Sequence, residues 1–202
     1  MQNIIHIHQN KELQFIKKCL LGYFFAPLCG AVLLVLFLVS SGAKSFQISN
    51  LFSNQLAYIV LLSLFLCALG FIAGAIGFYR LSKITRHLSF FENFAFSFLV
   101  VILCAILSYF IPNASNVLSL IGNGVSIFYL HKLYRELSLY TQERFFLSGF
   151  RLLLFSFMLA LLGILAQALV IIFLTIAVVL MCVALGFLGR AFLNFSQVFL
   201  KA

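Results

Sequence analysis

The chain has 202 residues, of which 64% are hydrophobic and only 8% are charged, and its mean hydropathy is +1.19. A soluble fold of this length cannot hide so much apolar surface, because it must cover itself with polar groups. The net charge is +9, but the basic residues lie in short gaps between long apolar runs, not on a soluble scaffold. We therefore predict an integral membrane protein that does not bind nucleic acid.

Apolar runs mark the predicted spans in chain order. A helix needs about 20 residues, at about 1.5 Å each, to cross a hydrocarbon core about 30 Å thick. Such runs cover residues 19–40, 56–79, 94–111 and 116–131, while residues 152–188 are too many for one crossing. We expect that last run to fold into a hairpin within residues 163–167. The prediction is an all-α polytopic transmembrane bundle of six spans, in one integral membrane domain covering residues 1–202.

The charges provide an independent test of this span count. With the N-terminus in the cytosol, six spans place twelve of the thirteen Lys and Arg residues on the cytosolic side, and Lys44 alone falls outside. This bias is what the positive-inside rule describes for short loops. A shift of one span at the end would leave Arg190 and Lys201 outside, so we predict that both termini are cytosolic.

Two basic segments, residues 81–91 and 130–140, align without a gap. They share Leu, Lys, Arg, Leu and Ser in the pattern L-x-K-(I/L)-x-R-x-L-S. The spacing of the apolar positions in residues 81–91 favours one face of a helix. We predict amphipathic helices at the headgroup level whose cations engage anionic lipid or a protein partner; these cations are Lys83, Arg86, Lys132 and Arg135.

A weaker similarity at residues 11–15 extends this pattern to a third copy. The chain would then be two or three tandem units, each a basic amphipathic helix followed by a transmembrane hairpin, over approximately residues 1–79, 80–129 and 130–202. The alternative is that two basic juxtamembrane turns converged on a common composition.

Repeated basic turns that lead through Phe-rich sequence into apolar spans resemble a domain-of-unknown-function family of small polytopic membrane proteins from bacteria and archaea. The resemblance rests on residues 81–91 and 130–140 and on the span count. It implies a bacterial inner membrane and supplies no activity.

Residues with catalytic chemistry are sparse within the predicted spans. No charge lies near the middle of a span, which disfavours a proton-coupled pump. The five Cys residues form no CxxC pair and all four His residues fall in water-facing segments, so we expect no metal and no cofactor. No nucleophile with an adjacent base stands out, so we name no catalytic residue. A membrane enzyme remains an alternative, and it would need a cytosolic site built from Glu92, His131, Glu136 and Glu143.

Small and polar residues within the spans suggest two further roles. Gly70, Gly74 and Gly77 have the spacing that lets helices approach closely, either within the bundle or in a homo-oligomer. Gly122, Asn123 and Gly124 combine polarity with backbone freedom. They predict either a broken helix that binds a solute or an Asn that bonds to a neighbouring helix.

Together these features predict an inner-membrane protein that is not an enzyme and engages lipid or protein partners through its basic cytosolic segments. The alternative function is a small transporter or solute-binding subunit with a site near Asn123.

Overall fold

A computed structural model of the protein describes residues 4–6, 10–40, 54–165 and 170–199. These residues form two short strands and six helices, in the order β1 (Ile4–His6), α1 (Lys11–Ser40), α2 (Asn54–Thr85), α3 (Ser89–Phe110), a 3-10 turn (Pro112–Ala114), α4 (Ser115–Thr141), α5 (Phe145–Leu165), α6 (Val170–Asn194) and β2 (Gln197–Phe199). The predicted all-α architecture is confirmed, with one small strand pair added to it.

Five of the described helices are long and apolar enough to cross a membrane. The candidate spans are Lys11–Leu36, Ala57–Thr85, Ser89–Phe110, Phe145–Gly163 and Val170–Asn194. The chain thus has the helices of a multi-pass membrane protein. Helix α4, which contains the predicted span 116–131, is not among them, because Ser, Asn and Gly interrupt its apolar residues. The sixth span stays a prediction.

The final apolar run folds into two helices, as its length requires. Helices α5 and α6 pack side by side, and the Ser156 hydroxyl donates a hydrogen bond to the Ala177 carbonyl at 2.6 Å. A Cβ atom built on Gly163 would lie 2.7 Å from the Phe173 Cβ, so the two backbones approach closely near the turn. The predicted hairpin within residues 163–167 falls partly on residues 166–169, which lie outside the described residues.

The six helices are organised as three helical hairpins, α1–α2, α3–α4 and α5–α6. Contacts within each hairpin are far more extensive than contacts between hairpins. In the middle hairpin the helices run antiparallel over their whole length, since Phe96 stacks on Tyr129 near one end and Gly122 contacts Cys104 nearer the other. The starts of α1, α3 and α5 and the ends of α2, α4 and α6 therefore meet at one end of the bundle, which we call the basic end.

Two tight turns at the basic end connect the hairpins. Arg86 ends α2 with a φ of 54°, and Gln142 ends α4 with a φ of 58°. A left-handed residue after the last helical residue lets the chain reverse while the terminal carbonyls keep hydrogen-bond donors. At the first turn the His87 N–H donates to the Ser82 carbonyl at 3.1 Å, and the Phe91 N–H donates to the Ser82 hydroxyl at 3.0 Å.

This geometry corrects one prediction. Residues 81–91 do not form a single amphipathic helix, because the chain turns at residues 86–88 and begins a new helix at Ser89. Residues 130–140 lie instead within the continuous helix α4. The two aligned segments consequently occupy different places in the fold, and the structure does not support the register of the predicted repeat.

The first and last described strands, β1 and β2, lie together at the basic end. Strands β1 and β2 pair antiparallel, with Ile5 opposite Val198. The Lys17 ammonium donates hydrogen bonds to the Leu193 carbonyl at 2.6 Å and to the Phe195 carbonyl at 2.8 Å. A cation suits this position, because the last carbonyls of a helix carry partial negative charge. The first and last helices are thereby joined.

The buried core also lies at the basic end. It is rich in aromatic side chains, and its members come from every helix and from β2. The largest are Phe78, Phe90, Phe94, Phe146, Phe192 and Phe195. At the centre, Tyr23 of α1 and Tyr134 of α4 share a hydrogen bond between their side chains. Elsewhere many large apolar side chains are exposed, as expected where lipid is the solvent.

Candidate functional site

The basic end concentrates the charge of the described chain. Its eleven described Lys and Arg residues all lie near the starts of α1 and α5, near the ends of α2, α4 and α6, or in the turns that join them; they are Lys11, Lys17, Lys18, Arg80, Lys83, Arg86, Lys132, Arg135, Arg144, Arg151 and Arg190. The described chain holds four glutamates, which are too few to neutralise these cations. The basic end is therefore strongly positive.

The four cations predicted to face lipid or a partner are all exposed at this end. Lys83 and Arg86 belong to the end of α2 and its turn, whereas Lys132 and Arg135 project from the second half of α4. The structure does not place them on two equivalent amphipathic helices. It does bring the end of α2 and α4 close together, because Ser89, the first residue of α3 after the turn, donates to Glu136 of α4.

A polar cluster bridges this turn and α4. The Ser89 hydroxyl donates to a Glu136 carboxylate oxygen at 2.7 Å, and the nearly buried Asn93 side chain donates to the same oxygen at 3.3 Å. The ring nitrogen Nδ1 of His87 is hydrogen-bonded to the Ser89 hydroxyl. With the serine proton directed to Glu136, the imidazole Nδ1–H is the donor in that contact. The Glu136 carboxylate thus connects α4 directly to α3 and, through Ser89, to His87 of the α2–α3 turn.

The phenol of Tyr140 lies beside this cluster. Its ring centroid is 5.1 Å from that of His87 and 5.2 Å from that of Phe90. Burial raises the pKa of Tyr140, and the negative charge of Glu136 raises it further. The phenol of Tyr140 therefore stays neutral to a higher pH than a free tyrosine.

The residues of the alternative enzyme hypothesis occupy separate environments. Glu136 accepts the hydrogen bonds just described, while the His131 ring lies 6.1 Å from the Phe150 ring. The Glu143 N–H donates to the Thr141 hydroxyl at 3.3 Å in the α4–α5 turn, and Glu92 is exposed in the first turn of α3. Within residues 4–6, 10–40, 54–165 and 170–199, no group of three or more His, Cys, Asp or Glu side chains could hold a metal ion.

No family model, curated protein or solved structure matches the chain.

A second candidate site is a groove between α3 and α4, with a volume of ≈400 Å³. Asn123 lines it together with Asn116, Ser119, Cys104 and Ser108. The spacing of 116, 119 and 123 puts these polar side chains on one face of α4. Asn123 donates a hydrogen bond to the Ser119 hydroxyl of its own helix at 3.4 Å.

The structure separates the three residues predicted to form a solute site. Gly122 is buried against Cys104, since a Cβ atom at Gly122 would lie 2.9 Å from the Cys104 Cβ. Gly124 is exposed, and a Cβ atom there would meet nothing within 4 Å. The prediction of a broken helix at these residues is wrong, because α4 runs continuously from Ser115 to Thr141. Gly122 brings the two helices together, and of these three residues only Asn123 contributes a side chain to the groove.

Gly70, Gly74 and Gly77 all lie against α1. A Cβ atom would lie 2.6 Å from Pro27 Cδ at Gly70 and 2.6 Å from Tyr23 Cδ2 at Gly74. At Gly77 it would lie 3.1 Å from a methyl group of Leu20. The three glycines therefore serve a contact within the chain, between the two helices of the α1–α2 hairpin.

Proposed function

We propose that this is a multi-pass inner-membrane protein whose basic end faces the cytosol and engages anionic lipid or a protein partner without catalysis of its own. The observation that carries the proposal is the collection of all eleven described Lys and Arg residues at one end of the bundle. Lys and Arg are retained on the cytosolic side of short loops. Each basic residue close to an anionic leaflet contributes about 1 kcal/mol of attraction.

The six-span topology belongs to this proposal. Two observations support it: α4 runs antiparallel along α3, and β1 pairs with β2 at the basic end. An even number of crossings returns the C-terminus to the side of the N-terminus. A crossing by α4 is compatible with its polar side chains in one respect: Asn123 donates to the Ser119 hydroxyl one turn earlier in the same helix, so these two groups satisfy each other. The bacterial inner membrane follows from the family resemblance alone.

The experiment reverses charge at the four exposed cations of the α2–α3 turn and α4. Changing Lys83, Arg86, Lys132 and Arg135 together to Glu should increase the fraction of molecules inserted in the opposite orientation. It should also reduce the phosphatidylglycerol that copurifies with the protein. Reporter fusions at both termini measure orientation, and mass spectrometry measures the lipid.

Lys44→Glu is the matched control, because the proposal puts Lys44 on the far side of the membrane, although that residue lies outside the described residues. This variant should keep the wild-type orientation and lipid content. The proposal fails if the fourfold variant behaves like wild type in both measurements.

The α3–α4 groove supports a second candidate function, the binding of a small polar solute at Asn123. The supporting observation is a polar face of α4 that lines a cavity of ≈400 Å³, within the 300 to 1,000 Å³ typical of ligand sites. A panel of amino acids and vitamins should include a compound that raises the melting temperature of the purified protein. Asn123→Leu should abolish that shift, whereas Val117→Leu, an exposed residue of the same helix outside the groove lining, should preserve it. No shift with any compound would exclude this function for the panel tested.

A further inference from the structure

The ring of three hairpins closes where α1 meets α6, and this contact is confined to the basic end. Lys17 holds the carbonyls of Leu193 and Phe195, and the ring of Phe24 lies 5.3 Å from that of Phe192. Beyond these contacts the two helices leave a groove of ≈560 Å³ between them. We call it the α1–α6 groove.

The α1–α6 groove is apolar along most of its length. Phe25, Leu28 and Val32 line it on α1, and Gly186 lines it on α6. A Cβ atom built on Gly186 would meet nothing within 4 Å, so the glycine leaves space instead of receiving a neighbouring helix. The absence of a side chain at Gly186 thus widens the groove between the apolar residues that line it.

One end of the α1–α6 groove is polar and cationic. Arg190 and Asn194 line it there, and both are exposed at the basic end. The Arg190 guanidinium lies over the Phe145 ring, 4.8 Å from its centroid. The ring attracts the guanidinium and helps to hold the side chain in place. Because the ring has no formal charge, this contact does not neutralise the positive charge of Arg190.

The apolar part of the groove is nearly as long as one leaflet of a bilayer. On α6 it extends from Arg190 to Cys182, a helical rise of about 12 Å. Half of a hydrocarbon core about 30 Å thick is about 15 Å. A cation at the headgroup level followed by an apolar channel over most of one leaflet's depth is complementary to an anionic lipid, with its phosphate at Arg190 and an acyl chain along Gly186.

We propose that the α1–α6 groove binds one anionic glycerophospholipid of the cytosolic leaflet, with the phosphate at Arg190 and one acyl chain over Gly186. The inference deepens the proposed function by naming one class of lipid and one binding site. The four cations of the α2–α3 turn and α4 are not part of that site. It rests on the proposed function in one respect: the basic end must lie at the membrane surface.

The test measures lipid retained by the purified full chain, using native mass spectrometry after incubation with micelles of phosphatidylglycerol or phosphatidylcholine. Gly186→Leu places a side chain in the groove without an internal clash. It should reduce retained phosphatidylglycerol about tenfold, equivalent to about 1.4 kcal/mol. Gly124→Leu makes the same change at another helical glycine with open space around it, and it should retain the wild-type amount.

Arg190→Gln separates the headgroup from the chain. It should lower the preference for phosphatidylglycerol over phosphatidylcholine about fivefold, the factor that corresponds to about 1 kcal/mol for one basic residue. Wild-type retention of phosphatidylglycerol by both Gly186→Leu and Arg190→Gln would overturn the proposal.

A second copy of the chain is the competing occupant, and Cys182 reports on it because this exposed residue lines the groove. In a variant with Cys19, Cys29, Cys67 and Cys104 changed to Ala, efficient Cys182–Cys182 crosslinking in membranes would overturn lipid occupancy. Labelling of Cys182 by a lipid with a reactive group on its acyl chain would support it. The fourfold charge-reversal variant changes no residue that lines the α1–α6 groove. If the proposed function fails, lipid binding in this groove can still be measured. If the groove binds no lipid, the proposed function of the other four cations still stands.

Discussion

Arg86 and Gln142, which lie 56 residues apart, adopt the same left-handed backbone conformation at corresponding turns of the basic end. Each follows a buried threonine, Thr85 or Thr141, whose hydroxyl donates to the carbonyl four residues earlier at 2.8 or 2.6 Å. Both threonines belong to a Leu-Ser-x-x-Thr sequence at a helix end. The two turns are therefore built alike, in a register that differs from the alignment of residues 81–91 with 130–140.

The left-handed residue at the α4–α5 turn should limit stability. A non-glycine residue in this conformation costs roughly 1 kcal/mol relative to glycine. We expect Gln142→Gly to raise the free energy of unfolding by about 1 kcal/mol and to raise the melting temperature in detergent. Ser138→Gly, inside α4, should instead lower stability by about 0.5 kcal/mol through lost helix propensity. Equal effects of both substitutions would contradict the assignment of strain to Gln142.

The contact between α2 and α1 at Gly74 should not tolerate a side chain. A Cβ atom there would lie 2.6 Å from Tyr23 Cδ2 and 3.2 Å from Phe94 Cε2, and both rings are packed by other aromatic residues. Overpacking of this kind costs about 1–3 kcal/mol. Gly74→Ala should lower the melting temperature, whereas Gly124→Ala should leave it unchanged or raise it, because its Cβ atom meets open space. A neutral Gly74→Ala would show that the α1–α2 contact is looser than described.

Lys17 should matter more for stability than its neighbour Lys18. Its ammonium donates to two carbonyls at the end of α6, and its loss would remove charged donors from them. We expect Lys17→Met to cost about 1–3 kcal/mol and to weaken the association of the chain ends. Energy transfer between dyes at the two termini measures that association. Lys18→Met removes the same charge from an exposed side chain and should have little effect on either measurement.

The titration of Tyr140 should report the charge on Glu136. Burial is the larger cause of the raised pKa and the carboxylate the smaller one. Glu136→Gln should therefore lower the pKa of Tyr140 toward its ordinary value of 10.0 without reaching it. Phenolate absorbance, taken as a difference from the Tyr140→Phe variant, measures the shift, and an unchanged pKa would contradict the contribution of Glu136.

This pKa also fixes the sign of a pH effect on stability. Because the folded pKa lies above the unfolded one, the contribution of Tyr140 is fully present below about pH 10 and is lost as the pH rises through the folded value. Stability is thus lost between the unfolded and the folded pKa of Tyr140. Because Glu136→Gln should lower the folded pKa, that loss should be complete at a lower pH in this variant.

The helical architecture could be predicted from composition because every long apolar run needs lipid as its solvent. The length of residues 152–188 was enough to require two helices. The break at Arg86 could not be predicted in the same way. Neither Gly nor Pro marks it, and the apolar spacing of residues 81–91 continues through it. Tertiary contacts of Ser82 with the next helix decide the local conformation there.

The candidate sites were predictable only where one segment supplies the chemistry. Asn123 stood out as a polar residue in an apolar run, and it lines a groove. The Ser89–Glu136 hydrogen bond joins residues 47 positions apart, so no local pattern could indicate it. The α1–α6 groove joins the first helix to the last, and its key feature, the open space at Gly186, depends on how the hairpins are placed.

The concentration of the aromatic core at the basic end has a mechanical consequence. The hairpins are fastened to one another at a single level and contact mainly their own partners beyond it. A small change in helix tilt where the hairpins are joined therefore produces a larger displacement at the far end of each hairpin. Beyond that level, the separation between hairpins depends on what fills the space between them.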